Sequence, residues 1–141
     1  MTGFDVAISL GTREGDAVDP DGIVFQHHLA ERARVDAEVL SGGHLLHLAV
    51  AGCLFNDILR AASSRDIKVN DLRVQASGGF EGDPLLSTGI TYSIEIEGEA
   101  SEPELQQLVR DAETAAAIPL TLREGVRVEP DELSIRGVAS D

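Results

Sequence analysis

His44 to Ala62 reads HLLHLAVAGCLFNDILRAA, the most apolar run in the chain. Leu45, Leu46, Leu48, Val50, Leu54, Phe55, Ile58 and Leu59 are too many for one stripe of an amphipathic helix. The run therefore predicts a central helix covered on several sides. Ser41-Gly42-Gly43 leads in and Arg65-Asp66 leads out, placing that helix at about 43–64.

Cys53, the only cysteine in the chain, lies inside this helix. An isolated cysteine behaves as a small hydrophobe and is more often a packing residue than a reactive one. At ~100° per residue, Cys53 shares its face with Leu46, Ala49, Asn56, Asp57 and Arg60. That face is small at one end and polar at the other, so the thiol can reach a cavity edged by charged groups. Gly52, directly before it, lets another backbone or a ligand come close.

At 141 residues the chain is expected to form one domain, residues 1–141, with a core drawn from Leu, Val, Ile and Ala, because there is no tryptophan and only 4% aromatic residues. A net charge of -14 with a single lysine, Lys68, lacks the basic footprint of a nucleic-acid binder. The N-terminus MTGFDVAISLGTREGD has neither the basic start nor the apolar core of a signal peptide. His44, His47, Asn56, Asp57 and Arg60 interrupt the central apolar run, which argues against a membrane span. A lone cysteine cannot form an internal disulfide and suits a reducing compartment. The expectation is a soluble, cytoplasmic protein with no nucleic-acid or membrane partner.

Phe4, Val6, Ile8 and Leu10 alternate as in a half-buried strand. The turn-rich Thr12–Gly22 follows, and Ile23 to His27 resumes the strand pattern, so a hairpin is the simplest reading. His28 to Val39 reads either as a third strand or as an irregular crossover. Beyond the helix, Leu72, Val74 and Ala76 precede a turn region at Gly78-Gly79 and Gly82-Asp83-Pro84. Ile90, Tyr92, Ile94 and Ile96 then alternate strictly, giving a second, longer antiparallel hairpin. Ser101 followed by Glu104 has the capping-box form and starts a second helix through Leu105, Leu108, Val109 and Ala112, which Pro119 ends or kinks. Val126, Val128, Leu133 and Ile135 close the chain with strand-like residues. The order is strands, helix, strands, helix, strand, an α+β arrangement.

The motif HLLHLAVAGC, followed one hairpin later by ASEPELQQLVRDAETA and then by TLREGV, resembles the OsmC/Ohr family of thiol-dependent peroxide-detoxifying proteins over nearly the whole chain. The resemblance implies an OsmC-like fold, with antiparallel sheets wrapped around central helices in an intertwined homodimer. It makes Cys53 the counterpart of the peroxidatic cysteine. Thr12-Arg13-Glu14-Gly15, followed by Asp21-Gly22-Ile23-Val24, is similar to the loop whose arginine helps hold the thiolate, and nominates Arg13. Thiolate is the nucleophile, and a fixed guanidinium favours it. Two family features are missing: Gly43 stands where the family has an orienting glutamate, and the resolving cysteine falls at about Ala116.

Substitutes for those groups are weak. Asp57 sits one turn beyond Cys53 and either orients Arg13 or pairs with Arg60. His44 and His47 lie ~180° and ~120° from Cys53 around the helix, which argues against a contact within one chain. His27 and His28 alternate across a strand and cannot offer both rings to one metal ion. No metal site and no cofactor are expected. Beside an interaction or structural role without a small ligand, which would leave no pocket at Cys53, two functions remain. One is a one-cysteine peroxidase in which Cys53 and Arg13 reduce an organic hydroperoxide and an external thiol regenerates the cysteine. The other is a non-peroxidatic dimer that binds a hydrophobic small molecule beside the central helix.

Overall fold

The computed structural model describes residues 3–10, 22–30, 32–37 and 39–138. Five strands, β1 (Val6–Leu10), β2 (Ile23–Phe25), β3 (Ala33–Ala37), β4 (Val69–Glu81) and β5 (Leu86–Gly98), form one antiparallel sheet in the order β2-β3-β1-β4-β5. Among the described residues there are also three helices, α1 (Gly42–Ser64), α2 (Glu102–Ala115) and α3 (Ala117–Glu124). The α+β class stands. Within one chain, β1 and β4 of the sheet pack on α1, and so do α2 and α3.

α1 starts where local chemistry says it should. The Ser41 side chain caps it by accepting from the His44 N–H at 3.3 Å, and Arg65 closes it. Its 23 residues are long and apolar enough by composition to cross a membrane. Here it is the core helix: Val50, Ala51, Leu54, Phe55, Ile58, Leu59 and Ala62 are buried in one cluster with Val6, Ile8, Leu72, Val74 and Leu108. The register Val6 to Ala76 and Ile8 to Val74 puts the β1 and β4 members of that cluster on one face. On the other face Asp36 accepts from both Arg34 (3.0 Å) and Arg73 (3.1 Å), beside the buried Ala7 and Ser9.

Three expectations need correction. β1 does not pair with β2; it lies between β3 and β4, and β2 pairs with β3, because non-local pairing completes the buried face of β1. Gly78 and Gly79 are not a turn but belong to β4, with a register shift between Gly78 and Phe80. Gly78 marks a close approach: a Cβ there would lie 2.4 Å from the Gly89 carbonyl oxygen and 2.5 Å from His47 Nε2. The β4–β5 turn sits at Gly82 to Leu85 only, with Asp83-Pro84 cis. Residues 126–138 take no regular secondary structure, and their apolar side chains are exposed.

Candidate functional site

α1 presents Cys53 and, three residues on, Asn56 to one side of the domain. Cys53 is half-buried and opens onto a cavity of about 360 Å³ lined by Ile8, Leu48, Gly52, Asn56, His27 and Ile118 among others. The walls are largely apolar, and the polar side chains at the cavity are the thiol, the Asn56 carboxamide and the His27 imidazole.

Among the described residues the sulfur has one backbone donor. Ala116 begins α3 and cannot cap it with a side chain, and Pro119 has no N–H to satisfy. The Ile118 N–H in the first turn instead donates to Cys53 Sγ at 3.4 Å. Cys53 thus does from a neighbouring helix what a serine or aspartate does at an ordinary N-terminus. The sulfur is thereby tied to the first turn of α3 as well as to α1.

Asp57 faces both the thiol and Arg60. Its Oδ2 stands 4.0 Å from Cys53 Sγ, while Oδ1 accepts from Arg60 at 2.5 Å. The pairing with Arg60 is one of the two arrangements the sequence offered. Arg13 lies outside the described residues.

His27 is the group sequence reasoning missed. It lies beyond β2, not within a strand, so the expected alternation of His27 and His28 does not hold; their ring centroids are 4.6 Å apart. The Leu29 N–H donates to His27 Nδ1 at 3.0 Å, which leaves the proton of the neutral ring on Nε2. Nε2 then donates to Asn56 Oδ1 at 2.6 Å. Cys, His and Asn are the residue types of a thiol hydrolase triad, but the wiring differs. With both ring nitrogens engaged elsewhere, His27 has no lone pair to take the thiol proton.

His44 and His47 point away from the thiol, as their angular positions predict. Ser41 Oγ and His44 Nδ1 are 2.7 Å apart, and His47 Nδ1 donates to the Gly43 carbonyl at 2.6 Å. The Phe4 ring stacks on His47 and meets Phe80 edge-on. This cluster explains the missing glutamate. A Cβ at Gly43 would come within 2.2 Å of the Phe4 ring, so the aromatic occupies the space a longer side chain would need. Ala116, where a resolving cysteine was sought, is fully buried at the start of α3.

A second cavity of about 330 Å³ lies between α1, β5 and α3, lined by Leu46, Val50, Ile90, Pro119, Leu122 and Arg123 among others. Tyr92 borders it, with its hydroxyl donating to Glu113. Burial first, and then the Glu113 carboxylate, push Tyr92 above its ordinary value of 10.0, against the opposing pull of Arg123. It is the only tyrosine in the chain, so phenolate absorbance reports on it alone. An alkaline titration of the folded protein should give a midpoint above 10.0, and Glu113→Gln should bring it down. Because the folded value is raised, this group's contribution to stability is complete below the unfolded value and is lost as pH rises through the folded one. A midpoint at or below that of a free phenol would contradict the contact.

A family model described as OsmC-like protein matches residues 35–131, a span that includes Cys53, Asn56 and Ile118. The chain belongs to that family. Among solved structures, the crystal structure of an OsmC-like hydroperoxide resistance protein from Jannaschia sp. CCS1 matches with a TM-score of 0.55 at 14% identity, over 94% of this chain and 95% of that one. At that identity the likeness shows the fold. No curated protein matches the sequence.

Proposed function

We propose that this protein is a one-cysteine, thiol-dependent organic hydroperoxide reductase that works in oxidative stress defence. The observation that carries the reading is the Ile118 N–H donating to Cys53 Sγ at the floor of a largely apolar cavity. Cys53 thiolate attacks the terminal oxygen of ROOH and the O–O bond breaks. Sulfur is oxidised to sulfenic acid, and RO⁻ leaves and takes a proton to become ROH. With no second cysteine in the chain, an external thiol condenses with the sulfenic acid to a mixed disulfide, releasing water. A second external thiol then frees Cys53. Arg13, nominated by the family resemblance, is the side chain that would hold the thiolate. Apolar walls favour an alkyl hydroperoxide over hydrogen peroxide.

The working unit we propose is a homodimer in a reducing compartment, the cytoplasm. Val126, Val128, Leu133, Ile135 and Val138 are each exposed by 61% or more in one chain, which a second copy would remedy. The cavity beside Tyr92 favours the second reading, a dimer that binds a hydrophobic small molecule without turnover.

The test is the rate of Cys53 oxidation by cumene hydroperoxide beside that by hydrogen peroxide, with mass spectrometry of the product. The reductase reading expects sulfenic acid, or a mixed disulfide with added thiol, formed faster with the organic peroxide. A Cys53 that stays reduced under equimolar hydroperoxide, with the wild type as unchanged in mass as a Cys53→Ser control, leaves the binding reading.

A further inference from the structure

We infer that Asn56 is a catalytic residue of this site, its carboxamide N–H donating to the peroxide oxygen that leaves as alkoxide, and that His27 is the positioning residue that aims it. The inference rests on the hydroperoxide reading and adds to it a donor carried on the same helix as the thiol.

The assignment follows from one hydrogen bond to the next. The Leu29 backbone N–H donates to His27 Nδ1, so a neutral His27 has its proton on Nε2 and requires an acceptor there. Asn56 supplies Oδ1 at 2.6 Å, a choice the imidazole dictates, since turning the amide over would set N–H against N–H. The amide nitrogen is therefore on the opposite arm of the carboxamide from His27. It has no hydrogen-bond partner among the described residues. Asn56 lines the cavity onto which Cys53 opens, three residues from it on the same helix. His27 is itself held in place by Leu29 and by an edge-to-face contact with the buried Phe55, at a centroid distance of 5.2 Å.

When the thiolate attacks the terminal oxygen, negative charge moves from sulfur onto the oxygen bonded to carbon. The Ile118 N–H stabilises the charge where it starts. The amide N–H of Asn56, on a carboxamide already held by His27, stabilises it where it arrives. Asp57 cannot serve this end of the reaction: it is an acceptor, and Arg60 engages it.

The experiment compares two reactions of Cys53 in the full chain: oxidation by cumene hydroperoxide, which generates an alkoxide, and alkylation by iodoacetamide, which does not. The readout is the ratio of the two rates. Asn56→Ala should lower that ratio by about 10- to 100-fold, the scale of losing one oxyanion donor, with alkylation little changed. Asn56→Asp keeps an acceptor for His27 and so preserves the tie to the loop. Its charge slows both reactions through the sulfur, yet the ratio should still fall, because the donor is gone. His27→Ala, which frees the amide to rotate, should lower the ratio less than either. A ratio equal to wild type in Asn56→Ala or Asn56→Asp overturns the assignment, since a purely structural tie would change both reactions together. If the wild type itself is not oxidised, the hydroperoxide reading falls and this inference with it; if the wild type is oxidised and the ratio holds in the variants, this inference alone falls.

Discussion

Phe55→Ala is expected to lower the free energy of unfolding by about 3–5 kcal/mol, the usual cost of emptying a buried phenylalanine site. Phe55 is fully buried and is the largest such side chain among the described residues. It belongs to the cluster in which α1 meets β1 and β4, together with Leu54, Ile58, Leu72 and Val74, so no solvent can fill the space it leaves. Domains of this kind hold only about 5–15 kcal/mol in total, and the variant should melt early in denaturant and partly unfold on warming. Chemistry should suffer as well, because the Phe55 ring supports His27 edge-on and His27 holds Asn56. Phe55→Leu, which refills most of the volume, should lose clearly less. Denaturant melts of the three proteins decide the matter: coincident midpoints for wild type and Phe55→Ala would mean that this residue does not anchor the core.

What could be read from the chain was whatever depends on neighbours in sequence. The span of α1 followed from its apolar run and from Ser41, and α2 from the Ser101/Glu104 pair, whose side chain and N–H meet at 3.3 Å. The β4–β5 hairpin announced itself through alternation around Gly82-Asp83-Pro84. Pairings that need distant partners were illegible. β1 prefers β3 and β4 to the nearer β2 because burial on its face, not loop length, decides its neighbours. Gly78 looked like a turn glycine, and its actual role, making room for a carbonyl and an imidazole, exists only once α1 is docked on the sheet.

The site divides in the same way. Cys53 was nominated by its motif, and the Asp57–Arg60 pair stands at a helical spacing. The Ile118 N–H is a backbone group, invisible to any reading of side chains, and reaches the sulfur only because α3 docks with its N-terminus at α1. His27 and Asn56 are 29 residues apart and carried no shared signal. The one available hint was that Asn56 falls on the Cys53 face of the helix.

The second large effect concerns assembly. The double variant Val128→Asp/Ile135→Asp is expected to convert the proposed homodimer to monomer at micromolar concentration. Val126 and Val128, then Leu133 and Ile135, repeat at a spacing of two, the pattern of a strand that buries one side. In a single chain these residues pair with no strand, and Val128 and Ile135 are each 88% exposed. The 13-residue strand β5 meanwhile stands at one edge of the sheet, an open row of backbone groups that an extended segment of another copy can meet. Fully burying a valine or isoleucine contributes roughly 1.5–3 kcal/mol, so losing two at one interface weakens it by roughly 3–6 kcal/mol, about 10² to 10⁴ in the dissociation constant. Two-fold symmetry places each substitution at the interface twice, which adds to the loss. Arg127 and Glu129, an exposed pair on the same segment, supply the control: Glu129→Gln should leave the association intact. Sedimentation over a concentration series distinguishes the outcomes. A wild type that is monomeric at tens of micromolar, or a double variant that self-associates as tightly as the wild type, would remove this segment from the dimer interface.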